Sequence, residues 1–217
     1  MHDLPELRVL PDLSGLTTLR SSEISLCCAL EALPSGFGEM MALKKLTIYR
    51  LDPLRSLSDI FVLTACLMIA NCGHNSFGRF PAEFKTLSKK SRDMKSLKEL
   101  KLKDFDLPDI RLTGLLYSST IEDCSRLKVL PKGLVEMKTL KELTLCYLAE
   151  LREQPNPSSR SALGSLTIDN CNKLQALPAS LQKLRALKQL TLRQLNQLRE
   201  MPNPTALAVL DSLTIEG

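Results

Sequence analysis

The chain has no tryptophan, two histidines and only 4% aromatic residues. Without a set of flat rings it has no stacking platform for nucleic-acid bases. The histidines, His2 and His74, have no partnered cysteine or carboxylate at a predictable distance, so no nucleophile–base pair can be argued around them. No Gly-x4-Gly-Lys-Ser/Thr or Gly-x-Gly-x2-Gly loop occurs, which removes the common phosphate cradles. No window approaches the roughly 18 apolar residues needed to span a bilayer. The start, "MHDLPELRVLPDL", places Asp3, Pro5 and Glu6 where a secretory leader has a basic cluster and then an unbroken apolar run. These absences predict a cytoplasmic, non-catalytic chain with no cofactor, no bound metal, no nucleic-acid partner and no membrane partner.

What is present is leucine, 46 of the 217 residues, so the core must be built mainly from one branched side chain. Such a bias calls for a search for repeats. A Leu-x-Ile or Leu-x-Leu run begins at Leu46, Leu67, Leu100, Leu143, Leu166, Leu190 and Leu213, and Ser22 and Ser119 fill the same slot in "SEISLC" and "STIEDC". Steps between these nine anchors are 24, 21, 33, 19, 24, 23, 24 and 23 residues. A period of 20 to 29 with this pattern is the signature of a leucine-rich repeat. Each unit then supplies one short strand with alternate residues inward and a return over the outside. The predicted fold is an α/β leucine-rich repeat solenoid: a curved right-handed horseshoe with parallel strands on the concave face and short helices, 3₁₀ turns and loops on the convex face.

The fifth residue after each anchor reads Cys27, Leu51, Cys72, Phe105, Cys124, Leu148, Cys171 and Leu195. Cysteine alternates with a larger apolar residue, so the true unit is a pair of repeats of about 47 residues. After cysteine, "CNKLQALPASLQKLRAL" spaces its apolar residues by three beyond a proline, which predicts a helical or 3₁₀ return. The other half, "LREQPNPSSRSAL" or "LREMPNPTALAVL", carries two prolines in three residues and should return as a turn-rich loop.

Residues 1–217 therefore read as a single domain of about nine repeats, irregular at 73–118. The long step predicts a bulge on the convex side around Ser88 to Asp93, and the short one a thinned return around Pro108 to Thr113. Residues 79–103 hold nine Lys or Arg against three acids, so the whole-chain charge of +5 is local. The insert around Lys89, Lys90 and Arg92 is expected to be a solvated loop. Neither end reads as a polar capping repeat, which predicts either a piece of a longer chain or end-to-end self-association.

Cys27, Cys72, Cys124 and Cys171 recur every second repeat, which puts neighbours about 9 to 10 Å apart. A disulfide needs Cα atoms within about 7 Å, and a tetrahedral metal needs all its ligands about 2.3 Å from one ion. The expectation is a ladder of buried free thiols packing as small hydrophobes.

Concave positions lie one before, and one and three after, each anchor, with the fourth at the rim. The residue after the anchor is threonine in six of nine repeats, a flat polar floor. Three after the anchor, charges alternate across strands, with Lys103 facing Glu122 and Asp169 facing Arg193 and Glu216. The candidate partner-binding residues are Tyr49, Arg50, Lys101, Lys103, Glu122, Asp123, Tyr147, Asp169 and Arg193, because Tyr and Arg are the usual anchors of protein interfaces.

The recurring "LTIDNCNKLQALP" pattern, with cysteine followed by Leu-x-x-Leu-Pro at Cys27 to Pro34, Cys124 to Pro131 and Cys171 to Pro178, and loosely at Cys72 to Pro81, resembles the repeats of plant intracellular nucleotide-binding leucine-rich repeat immune receptors. The resemblance implies a right-handed horseshoe, an intracellular location, and a role in sensing a ligand protein or restraining a nucleotide-binding switch. The chain departs from that family in carrying no nucleotide-binding or signalling domain. The expected function is a protein-interaction module with a protein partner on the concave face. The alternative is a substrate-recruiting subunit or domain of a larger enzyme such as a ubiquitin ligase.

Overall fold

A computed structural model describes residues 3–51, 65–70, 97–104, 116–130, 134, 137–152, 162–201, 203, 207 and 209–217. Nine strands of five residues each form one parallel sheet in chain order: β1 Ser21–Ser25, β2 Lys45–Tyr49, β3 Cys66–Ala70, β4 Glu99–Lys103, β5 Ser118–Glu122, β6 Glu142–Cys146, β7 Ser165–Asp169, β8 Gln189–Arg193 and β9 Ser212–Glu216. Every anchor is the second residue of its strand, and the anchors pair across the sheet, from Ser22 with Leu46 to Leu190 with Leu213. The unequal steps of the middle repeats are thus absorbed outside the strands, and the register is undisturbed. A slip of one residue would turn every leucine outward, so burial itself enforces this register.

From β2 to β8 the inner rows seal the core, while at the last strand Leu213 and Ile215 of β9 are 40% and 59% exposed. Leu166 and Ile168 of β7, for example, are 2% and 0% exposed, while Ser165, Thr167 and Asp169 between them are half-buried. Each sealed leucine or isoleucine contributes about 1.5–3 kcal/mol relative to exposure, so the stack supplies what no single repeat could. Ser119 is the exception: it fills an anchor slot at 1% exposure, and its hydroxyl has no hydrogen-bond partner among the described residues. A buried, unsatisfied polar group of this kind costs about 1–3 kcal/mol.

A left-handed residue follows the strands. Leu26, Arg50, Asp104, Asp123, Tyr147, Asn170 and Gln194, each four after its anchor, all have φ between 47° and 58°. This bend ends the strand and turns the chain toward the return, and each of these N–H groups donates to the last carbonyl of the next strand at 2.8–3.1 Å. Asp3 repeats the geometry ahead of β1, with φ 56° and its N–H on the Ser25 carbonyl at 3.1 Å. Cys27, Cys124, Cys171, Leu51 and Leu148 come next and are fully buried. Their thiols hydrogen-bond to backbone, Cys27 to the Ser25 carbonyl at 3.4 Å, Cys124 to Glu122 at 3.4 Å and Cys171 to Asp169 at 3.5 Å. The ladder of free thiols holds for these three; Cys72 and Phe105 lie outside the described residues.

Among the described residues two returns are 3₁₀ helices, Ser35–Glu39 and Ala179–Lys183, each entered from a proline, Pro34 and Pro178. Both lie in cysteine-type halves, where the three-residue apolar spacing put a 3₁₀ turn; that spacing suits three residues per turn. The proline-rich return at 153–161, most of the one at 202–208, the bulge around Ser88 to Asp93, the thinned return around Pro108 to Thr113 and His74 lie outside the described residues. No helix among the described residues is long and apolar enough to cross a membrane.

Candidate functional site

Parallel pairing with full register turns positions in the repeat into straight rows across the concave face, spaced about 4.8 Å from strand to strand. The floor is the row after the anchors, running Thr120, Thr144, Thr167, Thr191 and Thr214 over β5 to β9, with Lys101 on β4 and Met68 on β3. Functional variety lies in the next row, the last residue of each strand, and in the left-handed residue beyond it.

From β4 to β9 that row reads Lys103, Glu122, Cys146, Asp169, Arg193 and Glu216. Lys103 Nζ lies 2.7 Å from Glu122 Oε1 and 3.1 Å from Asp123 Oδ2, so β4 and β5 are joined by one cation on two carboxylates. Those two hydrogen bonds hold the lysine well above its ordinary value and therefore charged. At the far end Arg193 Nε reaches Glu216 Oε2 at 3.0 Å, so of the two carboxylates beside it the one on β9 takes the guanidinium. Among the described residues no ion pair joins Asp169 to Arg193. All three ion pairs are about a third exposed or more, and each is worth about 1 kcal/mol or less.

Cys146 sits in register between Glu122 and Asp169. Burial first, and then the charges of Asp169, Glu122 and Asp123, push its thiol up to about 11. It is therefore a neutral, uncharged step between two carboxylates and a poor nucleophile at neutral pH. Beside it Tyr147 is 49% exposed in the left-handed position after β6, its N–H tied to the Asp169 carbonyl at 3.0 Å. The cluster of Lys103, Glu122, Asp123, Tyr147 and Asp169 is thus assembled from four turns of the solenoid. Arg193 stands one strand further on.

Tyr49 and Arg50 are set apart. Tyr49 ends β2 and Arg50 follows it, and between them and Lys103 lies β3, which offers only half-buried Met68 in these rows, Ala70 being fully buried. Lys101 pairs within its own strand with Glu99, at 3.2 Å. Burial alone would raise Glu99, but hydrogen bonds from the Cys66 thiol and Lys101 overcome it and hold the carboxyl below its usual range. Cys66 in turn is raised, by burial first and then by Glu99.

The sequence reading missed three features. Lys141 lies over the ring of Tyr117, 4.8 Å from its centre, just before β6 and β5 respectively. Asn170, Asn172, Gln194 and Asn196 form a hydrogen-bonded amide lattice beyond β7 and β8, through Asn170 to Gln194 at 3.0 Å, Asn172 to Asn170 at 2.8 Å and Asn196 to Asn172 at 3.1 Å. The third is an open groove of about 690 Å³ on the return side, lined by Arg152, Lys173, Gln175, Ala176, Leu177, Pro178 and Gln197, with both cations paired to Glu150. The equal offset of the asparagines from their anchors was the signal for the lattice. No group of three or more metal-ligating side chains comes together among the described residues.

No protein-family model and no curated protein matches the sequence. Among solved structures, the leucine-rich repeat domain of the type III effector XopL superposes with a TM-score of 0.65 at 22% identity, over 95% of this chain and 72% of that one. With nine registered parallel strands and that likeness, the chain has the fold of a leucine-rich repeat solenoid.

Proposed function

We propose that the chain is a non-catalytic recognition module that binds a protein partner on its concave face, centred on Lys103, Glu122, Asp123, Tyr147 and Asp169 and extended by Arg193 on one side and Lys101, Tyr49 and Arg50 on the other. One observation carries this reading: a half-exposed tyrosine stands among fixed charges on a rigid sheet. Aromatic and charged anchors held by a preorganised frame are what protein interfaces use, because little side-chain entropy is lost on binding. A finer reading, resting on the cysteine and Leu-Pro pattern, is the ligand-sensing or autoinhibitory repeat region of an intracellular immune receptor.

The test is photo-crosslinking from single positions in cells, with the reactive residue at Tyr147, at Tyr49 or at exposed Val129 on the return. The reading expects one discrete adduct from Tyr147 and none from Val129, and loss of that adduct in a Tyr49→Ala, Lys103→Ala, Tyr147→Ala background with the crosslinker moved to Thr144. The same adduct from Val129, or survival in that background, overturns it.

A further inference from the structure

The rim just before the strands differs from the rim just after them. Lys44, Lys98, Lys141 and Lys188 stand immediately ahead of β2, β4, β6 and β8 and are all exposed. Because those strands are in register, the four lysines form a row with one cation every second strand, about 9.5 Å apart. Their backbone carbonyls are fixed by the next strand, as Lys44 accepts from Cys66 at 2.9 Å and Lys98 from Ser118 at 3.0 Å, so the row is held by the sheet.

Two facts separate this row from the paired cations Lys101, Lys103, Lys173 and Arg193. Among the described residues none of the four forms an ion pair, whereas Lys101, Lys103, Lys173 and Arg193 each sit on a carboxylate. The positions between them in the row are Ala65, Tyr117 and Gly164, small or flat, so no acid stands between two lysines, and the row ends on Asp211, one strand beyond Lys188. Tyr117 holds the Lys141 ammonium 4.8 Å from its ring centre, so one face of the single ring in the row is already covered by a cation.

We infer that this row is a second docking surface, distinct from the Tyr147 cluster, for an extended acidic segment of a partner protein. Charge complementarity sets the sign, and the spacing sets the form. A polyproline II segment rises about 3.1 Å per residue with three residues per turn, so carboxylates at every third position lie on one side about 9.3 Å apart. That matches the lysine row to within side-chain reach over its whole length. An α-helix needs seven residues, about 10.5 Å, to return near the same face and drifts out of step. Single-stranded nucleic acid would want stacking rings between the cations, and the row has a single ring with one face already covered.

Fluorescence anisotropy at low ionic strength tests this with two labelled peptides of equal charge, one with glutamate at every third residue among proline and serine, the other with glutamate at every second. The period-three peptide binds more tightly. Replacing Lys44, Lys98, Lys141 and Lys188 together by glutamine weakens it about tenfold or more, the summed effect of exposed pairs worth a few tenths to 1 kcal/mol each. Replacing Lys85, Lys89, Lys90 and Arg92 by glutamine, the same charge change in the basic insert, leaves it within about twofold. The Tyr49, Lys103 and Tyr147 triple variant also leaves it unchanged, so this surface and the Tyr147 cluster stand or fall separately. Equal binding of both peptides, loss on changing the insert rather than the row, or displacement of the peptide by an oligothymidylate of equal charge at lower concentration overturns the inference.

Discussion

The two sides of each strand obey different rules. Facing the core, the anchor and the residue two beyond it are leucine or isoleucine in 16 of 18 slots, and the exceptions, Ser22 and Ser119, are small. On the concave side the corresponding rows hold threonine, lysine, glutamate, methionine, cysteine, aspartate, arginine and tyrosine. Core packing fixes volume and polarity at a sealed position and says nothing about the next residue, which points the other way. The solenoid can thus keep one architecture and change what it recognises one residue at a time.

The sharpest test of that contrast uses neighbours in one strand. Leu166→Ala should destabilise by about 2–5 kcal/mol, through lost burial and a cavity that registered strands on both sides cannot close. Thr167→Ala, one residue on, should cost no more than about 1 kcal/mol, the span of strand preference at a half-exposed site. Urea unfolding followed by circular dichroism reads both as shifts in midpoint. Because stability in a repeat array passes between neighbours, the Leu166 variant should also broaden the transition as the turns beyond it uncouple. Comparable midpoints for the two variants would remove the distinction between the faces.

The inner rows were legible in the sequence because burial demands a residue class at a fixed period. All nine anchors fell in strands, and the prolines before the 3₁₀ turns marked where the chain must leave extended geometry. The left-handed row was not legible. Asp104, Asp123 and Asn170 are types that tolerate positive φ, but Leu26, Arg50, Tyr147 and Gln194 are not, so local preference pointed elsewhere and the solenoid overrode it. The Lys103–Glu122 pair could be read from cross-strand spacing, whereas the choice of Arg193 between Asp169 and Glu216 depends on side-chain geometry that a repeat pattern does not encode. The same is true of Cys146, whose neutral thiol follows first from burial and then from the acids that the turns on either side bring to it, Glu122 and Asp123 on one and Asp169 on the other.

That overridden preference gives a second way to probe the two faces. Tyr147 keeps a bulky side chain at φ 55° although it is half-exposed and its backbone alone makes the bond to Asp169. Glycine carries no steric penalty there, so Tyr147→Gly should gain about 0.5–1 kcal/mol in thermal or urea unfolding while abolishing the Tyr147 contribution to partner binding. Stability gained as recognition is lost means the strain is kept for the partner. A loss of stability would instead make the tyrosine part of the frame and move the recognition surface toward Lys103.

The smallest effect expected tests whether concave charges touch folding at all. Glu99 is held below its ordinary 4.5 by the Cys66 thiol and Lys101 against the opposing pull of burial. A carboxyl lowered on folding adds stability above its unfolded value, and that increment is lost as pH falls through the folded value. The wild type should therefore exceed Glu99→Gln by about 0.5 kcal/mol or less at pH 7, since the side chain is 37% exposed, and the two should converge as the pH falls through the lowered value of the folded carboxyl. A second readout is independent of stability. Burial is the larger force raising the Cys66 thiol and Glu99 the smaller, so Glu99→Gln should speed alkylation of Cys66 in peptide-resolved mass spectrometry without bringing it to the rate of exposed Cys28. An unchanged rate would mean that burial alone sets Cys66. A rate equal to that of Cys28 would mean that the glutamate, and not the sheet, guards the thiol, and the concave face would then be more open at β3 and β4 than its half-buried rows imply.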